Sequence, residues 1–406
     1  MVKLKVNVNF YIIIIVLFFL GLCYNTSGDL MNIGIICEYN PFHYGHLYHL
    51  NKIKEMYPNS NIILVMSGWI CERGDLSLID KFKKADIALN YGVDLVVELP
   101  FKYIQSADYF AKGAIEILNK LKCDTIVFGS ESNDINTLTN LANIQITNKD
   151  YNIKVKKYLN DGLNYPTAMS KSLKEITGED IHKPNDLLGL SYIKEIIKNN
   201  YKIKPISIKR NNNYNSKDIE GKITSATSIR ELIKNKKNFK DYVPSYSYKY
   251  LKNTIFFEDY FDYLKYKIIC CNDLTMYHGV DEKLKNRINK YISISNTLDE
   301  LILNIKTKNY TYNRIKRTFI YILFSIEKKD LINLDLEYIR ILGFNNNGKH
   351  LLNEIKKDID IPLITNYNDK YLNKDLKINT ILSLNNKIKD KKSFIEIEYK
   401  NRPIIK

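Results

Sequence analysis

Several things are scarce in this sequence. Its 406 residues include six cysteines, at 23, 37, 71, 123, 270 and 271, and no CxxC pair. That spacing excludes a zinc ribbon and a thioredoxin-like redox motif, and settings such as Ile36-Cys37 point to reduced thiols. Proline at nine and glycine at sixteen are too few for a collagenous or low-complexity chain. Acidic groups, at 45, are outnumbered by 61 Lys and Arg, giving a formal net charge of +16. Few of the basic residues are arginine, and Asn, Lys, Ile and Tyr crowd the chain. The positive excess suits a polyanion such as RNA, but an AT-rich coding bias produces the same surface, so charge alone does not decide. With 45% hydrophobic and 26% charged residues the chain is too apolar to be disordered. It is long enough for two cores.

From Met31 short apolar runs alternate with amphipathic stretches. Strands are expected at Ile33 to Cys37, Ile62 to Met66, Leu95 to Leu99 and Thr125 to Phe128. Helices are expected at Gly45 to Met56, Leu78 to Tyr91 and Ser106 to Leu121. This is the pattern of βαβ units and a parallel sheet, whose ligands bind beyond the carboxyl ends of the strands. Those ends carry Glu38-Tyr-Asn-Pro, Ser67-Gly68, Glu98-Leu-Pro100 and Gly129-Ser-Glu131. Residues 132–180 read as polar and irregular with some helix. Pro184 begins a helix to about Asn199, Ile203 to Lys209 reads as a strand ending in Arg210, and Ser225 opens another helix. Beyond 240, Lys/Tyr/Leu-rich stretches with helical spacing dominate, with few strand signals before about 360. The expected fold class is α/β: a Rossmann-like parallel-sheet domain over 31–235, then a mainly helical C-terminal domain over 236–406.

His43-Tyr-Gly-His46 falls between a strand and a helix. Gly45 lets the backbone approach a phosphate, and the helix it opens offers free N–H groups there. Two imidazoles beside that phosphate can stabilise charge developing at phosphorus, with no covalent protein intermediate. Pro41 and Asn40 shape the turn. No acidic or cysteine cluster accompanies His43, His46 and His49, so no protein-bound metal is expected. His49 alone reads as a helix-face residue. Ser225-Ala-Thr-Ser-Ile-Arg230 is a capped helix start that, with Arg230, can bind terminal phosphates.

An HxGH turn followed far downstream by Ser-Ile-Arg at a helix start resembles the HIGH nucleotidyltransferase superfamily. More narrowly, Ile36-Cys-Glu-Tyr-Asn-Pro-Phe-His-Tyr-Gly-His-Leu-Tyr-His49 is similar to the ATP-binding segment of bacterial tRNA(Met) cytidine acetate ligases. So are Met66-Ser-Gly68, Arg73-Gly74, Asp80-Lys81, Glu98-Leu-Pro-Phe101, Phe128-Gly-Ser-Glu131, Lys183-Pro-Asn-Asp-Leu-Leu-Gly189, Ile208-Lys-Arg210 and Ser225 to Arg230. Arg314-Ile-Lys-Arg317 and Leu342-Gly-Phe344 extend the likeness to about Leu352.

The resemblance implies a nucleotidyltransferase domain that forms acetyl-adenylate from acetate and ATP. It further implies transfer of acetyl to the wobble cytidine of elongator tRNA(Met), giving N4-acetylcytidine without acetyl-CoA. Nucleotide contacts then fall on Ile36, Cys37, Glu38, Tyr39, Asn40, Pro41, Phe42, His43, Tyr44, Gly45, His46, Leu47, Tyr48 and His49, and on Gly129, Asn185 and Arg210. His43 and His46 are expected at the α-phosphate and Arg230 at the pyrophosphate end. Lys209, Arg314, Lys316 and Arg317 are candidates for tRNA phosphates. Mg²⁺ is expected with ATP, without an identifiable protein ligand. The chain departs from the family at Trp69-Ile70, Glu72, Asp75-Leu76-Ser77 and Phe82. An adenylyltransferase of the same fold acting on a small phosphorylated substrate, and a non-catalytic tRNA-binding protein, are the alternatives.

The first thirty residues carry Lys3 and Lys5, an apolar run from Phe10 to Leu22, then Cys23-Tyr-Asn-Thr-Ser-Gly-Asp. This is shaped like a secretory signal but has no A-x-A site, and it is short for a membrane span. Met31 directly precedes the first strand, and an ATP-using enzyme works inside the cell. Residues 1–30 are therefore expected to be upstream sequence, and the protein to be cytoplasmic without stable membrane association.

Overall fold

The computed structural model describes residues 30–210 and 224–406. The signal-like stretch through Asp29 lies outside the described residues. Strand β1 (Met31–Cys37), helix α1 (Tyr44–Met56), β2 (Ser60–Ser67), α2 (Lys81–Asn90), β3 (Leu95–Leu99), α3 (Ala107–Lys120) and β4 (Thr125–Ser130) alternate as the apolar pattern predicts. Helix α2 starts later than expected because Asp80 is its N-cap, accepting from the Lys83 backbone N–H at 2.9 Å. The region read as irregular is three helices, α4 (Ile135–Thr147), α5 (Lys149–Asn160) and α6 (Tyr165–Thr177). Its Asp134, Asn148 and Asn164 look like breakers in sequence but serve as N-caps. Then come α7 (Pro184–Lys198), β5 (Lys204–Lys209) and α8 (Ala226–Lys234).

The rest of the chain holds α9 (Ser245–Tyr248), α10 (Phe261–Cys270), α11 (Glu282–Ile292), α12 (Leu298–Ile305) and α13 (Tyr312–Phe324). It ends with β6 (Ile339–Phe344), α14 (Asn346–Ile355), β7 (Leu363–Ile364), α15 (Asp369–Leu382), α16 (Lys391–Lys400) and β8 (Ile404–Ile405). Helix dominates, as the spacing predicts, but β6 was not legible. It pairs antiparallel with β3, Val96 opposite Gly343 and Glu98 opposite Arg340. The strand order is β5-β4-β1-β2-β3-β6-β7, with β8 also on β6. The sheet thus draws chain from both sides of residue 235. The core shows no break there either: Ile63, Val65 and Val97 of the sheet share one buried cluster with Leu264, Leu301, Ile315 and Phe319.

Successive side chains alternate across the sheet. Ile33, Ile35, Leu64 and Met66 face α1 and α2, while Ile36, Ile63 and Val65 face the other layer. Burial on both faces explains why these strands are apolar at nearly every position. Because β1 leads to β2 and β3 on one side, and β4 and β5 lie on the other, the chain reverses direction at the β1/β4 boundary. The crevice at the carboxyl ends of those two strands is where such sheets bind ligands.

The C-terminal elements are fastened to the sheet by a buried ionic cluster. Lys81 Nζ, 1% exposed, lies 2.8 Å from Glu98, 3.3 Å from Asp375 and 3.0 Å from Glu398. Arg340 joins Glu98 to Glu398 and sits over the Phe82 ring. Burial, with Glu98 and Glu398 adding, pushes the Asp375 carboxyl up to about 7 against the pull of Lys81. Removing one partner strands buried charge. Arg340→Ala should therefore lower stability by about 3–5 kcal/mol, read as a fall in the urea midpoint. A loss under ~1 kcal/mol would show that the cluster does not hold the C-terminal layer.

Candidate active site

The β1–α1 turn builds the site. Tyr39 adopts φ +47° and the Asn40–Pro41 bond is cis. Asn40 anchors the turn: its Oδ1 accepts from Leu78 N at 2.9 Å and its Nδ2 donates to Leu76 O at 3.1 Å. His43 is the N-cap of α1, its Nδ1 accepting from Gly45 N at 3.0 Å. His46 Nδ1 accepts in turn from His43 N at 3.3 Å. With Nδ1 of each ring taken as an acceptor, the neutral rings carry their proton on Nε2. The rings lie 3.9 Å apart, centroid to centroid.

These imidazoles stay neutral. Burial, then the nearby Arg210 and Arg230, lowers His43 to about 3. Burial, then His43 and Arg210, holds His46 well below its usual range. Burial and Arg210 take His49 to about 4. The site therefore presents neutral N–H donors flanked by guanidinium charge, an arrangement that favours an anion between them.

A cavity of about 280 Å³ opens at this turn. It gathers Ile36, Cys37, Glu38, Tyr39, Asn40, His43, Gly45, His46, Tyr48, His49, Gly129, Asn185, Lys209, Arg210 and Arg230. Pro41, Phe42, Tyr44 and Leu47 do not line it. Phe42 instead stacks on Tyr91 at 5.0 Å and supports the turn from behind. Across the cavity stands the N-terminus of α8, where Ser225 caps Ser228 N at 3.1 Å. Two helix starts, α1 and α8, thus address one space.

Asn185 and Gly129 are brought together by reciprocal capping. Asp186 accepts from Ser130 Oγ at 2.5 Å and from Glu131 N at 3.0 Å. Glu131 accepts in return from Asn185 N at 3.1 Å and Asp186 N at 3.0 Å. Gly189 lets α7 sit against Phe128, where a Cβ would come within 2.3 Å of the ring. Arg210 reaches Asn185 Oδ1 at 3.4 Å, and its side chain covers Gly129.

Arg230 donates to Asn40 O at 2.8 Å, and to Asp75 Oδ2 and Thr227 Oγ1 at 3.2 and 3.1 Å. Asp75 also pairs with Lys316. Burial works against the Asp75 charge, but Arg230 and Lys316 outweigh it and hold the carboxyl below its usual range. Arg317 donates to Glu72 O at 2.7 Å. Two of the tRNA candidates point toward this loop. Lys316 is 9% exposed and pairs with Asp75, and Arg317 pairs with Glu72, so both clamp the 71–77 loop. Gly74, at φ +80°, permits that clamp: a Cβ would lie 2.6 Å from Arg317 N. Arg314 is partly exposed, near Asp281 at 3.9 Å, and Lys209 is exposed at the cavity rim. The roles of Asp75, Glu131 and Asp186 were not foreseen. Glu131 and Asp186 sit inside motifs already singled out, whereas nothing in the sequence ties Asp75 to Lys316.

The HIGH Nucleotidyl Transferase family model matches residues 31–397. The tRNA(Met) cytidine acetate ligase of Caldicellulosiruptor saccharolyticus is 38% identical over 394 residues, covering 91% of this chain and 98% of that protein. The protein of the same name from Halothermothrix orenii is 40% identical over 367 residues, covering 82% and 86%. The chain belongs to the tRNA(Met) cytidine acetate ligase family. Among solved structures, Thermotoga maritima TmcAL in its apo form superposes with a TM-score of 0.86 at 30% identity, over 93% of this chain and 99% of that one. The same protein bound with alpha-thio ATP gives 0.83 at 29%, over the same shares.

The positions expected to depart from the family pattern are mostly packing positions. Trp69 Nε1 donates to Asn379 at 2.6 Å, Leu76 and Phe82 are buried, and Ser77 Oγ donates to Ile79 O at 2.8 Å. Glu72 alone of the single-residue changes lies on the cavity wall beside Asp75.

The buried imidazole also titrates against stability. His43 in the unfolded chain takes up a proton near 6.5, whereas the folded group does so only near 3. The unfolded state binds more protons between those values, so stability is full above about 6.5 and falls as pH drops. His43→Asn keeps an N-cap acceptor while removing the titration. Its melting temperature should fall less than that of the wild type between pH 6.5 and 4. An identical pH slope in the two chains would contradict the buried neutral ring.

Proposed function

We propose that this chain joins acetate to cytidine in elongator tRNA(Met) at the expense of ATP, through acetyl-adenylate, in the cytoplasm. The observation that carries the reading is the switch-point cavity faced by two neutral imidazoles, two helix N-termini, Arg210 and Arg230. In this reading His43 and His46 donate from Nε2 to the α-phosphate as acetate displaces pyrophosphate. Arg230 leaves Asp75 for the pyrophosphate end, while Arg210 and Asn185 seat the nucleoside. The basic, mostly helical region 236–406, with Lys209 and Arg314, receives the tRNA. Family membership supports the chemistry. Among the described residues no helix is long and apolar enough to cross a membrane.

No group of three or more His, Cys, Asp or Glu among the described residues could hold a metal. Mg²⁺ is expected to enter with the triphosphate and its waters, neutralising phosphate charge.

The test uses purified chain, labelled acetate, ATP and tRNA. Label should enter tRNA(Met) only with ATP and acetate both present. His46→Ala should lower adenylate formation by roughly 100-fold or more while leaving tRNA binding intact. Undiminished turnover in that variant would sink the site assignment. Pyrophosphate release with a small phosphorylated acceptor, and none with acetate, would favour an adenylyltransferase acting on small molecules.

A further inference from the structure

The two half-reactions of the proposed ligase differ in their need for a base, and this inference rests on that reading. Acetate attacks phosphorus as a carboxylate and has no proton to lose. The exocyclic amine of cytidine is a weak nucleophile and must shed a proton as its bond to carbon forms.

Among the described residues, three carboxylates line the cavity: Glu38, Glu72 and Asp75. Asp75 is paired with Arg230 and Lys316, and Glu72 with Arg317. Glu38 forms no ion pair among the described residues. It directly follows β1 and lies in the same turn as His43. Its Oε1 is fixed by Glu72 N at 2.6 Å, and no hydrogen bond from a described residue engages its other oxygen. Lys84 secures the backbone beneath it, donating to Glu38 O at 3.1 Å and Ser67 O at 2.8 Å.

We propose that the Glu38 carboxylate is the general base of the transfer step. The cytidine amine nitrogen attacks the acetyl carbon of acetyl-adenylate. A carbon–nitrogen bond forms, the bond from that carbon to the phosphate oxygen breaks, and AMP leaves with the electron pair. The amine proton passes to Glu38 and then to solvent. Among the described residues, the titratable and charged groups facing Glu38 are Glu72 and Arg73 from the loop, Cys71 before them, Cys37 on β1, Lys84 on α2 and Tyr192 on α7. Burial first, and the Glu72 charge, push Glu38 up to about 7 against the Glu72 N–H, Lys84 and Arg73. Such a group accepts a proton near neutral pH.

Glu38→Gln tests this, since the amide oxygen can still accept from Glu72 N. Two rates are measured in the full chain. One is acetate-dependent exchange of pyrophosphate into ATP, and the other is single-turnover transfer of acetyl from preformed acetyl-adenylate to tRNA across pH 5.5–9. Wild-type transfer should rise with pH and level off near 7. In Glu38→Gln it should drop by roughly 100-fold or more and lose that inflection, a loss at least about 10-fold greater than that of exchange. Glu38→Asp should recover part of the transfer rate and its pH dependence. Equal losses in both rates, or a wild-type inflection retained in Glu38→Gln, would overturn the role of Glu38 alone. A wild-type chain without acetate-dependent exchange would overturn the ligase reading and this role with it.

Discussion

Two hydrogen bonds from backbone N–H to imidazole Nδ1, Gly45 to His43 and His43 to His46, set the tautomer of both rings. They can form only while Nδ1 is unprotonated, so the geometry of the turn and the neutrality of the histidines are one constraint. Burial and the two guanidinium groups enforce it from outside. A charged imidazole would lose its acceptor and meet Arg210 and Arg230. A neutral one donates from Nε2 and leaves the positive charge to the arginines. That division of labour suits a triphosphate, whose departing end carries more charge than the phosphorus being attacked.

The rest of the molecule holds this turn in place. Asn40 ties it to Leu76 and Leu78, and Arg230 ties it to Asp75. Lys316 and Arg317 then clamp the 71–77 loop onto α13. One step further, Trp69 is bonded to Asn379, and Lys81 to Glu98, Asp375 and Glu398. The loop that walls the cavity therefore depends on helices more than 200 positions later in sequence. This explains why the C-terminal region shares a core with the sheet.

The parts legible in sequence were those encoded locally. The parallel strands announce themselves because burial on both faces makes them continuously apolar, and His43-Tyr-Gly-His46 carries its chemistry in adjacent residues. Strand β6 was hidden by Arg340, whose charge inside an apolar run makes sense only once Glu98 and Glu398 surround it. The helices of 132–180 were hidden by Asn148 and Asn164, which end one pattern and cap the next. Lys316 and Arg317 looked like a basic surface because their acidic partners, Asp75 and Glu72, lie far away along the chain. A sequence shows charge at a position; whether it meets water or a carboxylate is fixed by the tertiary packing.

The central claim is that His43 and His46 are neutral Nε2–H donors in the folded chain. Nitrogen NMR of histidine-labelled protein from pH 5 to 8, with each ring assigned by single substitution, measures this directly. The account predicts that both rings keep the unprotonated-Nδ1 signature across the whole range. An imidazolium signal, or a proton on Nδ1, for either ring at pH 7 would contradict it.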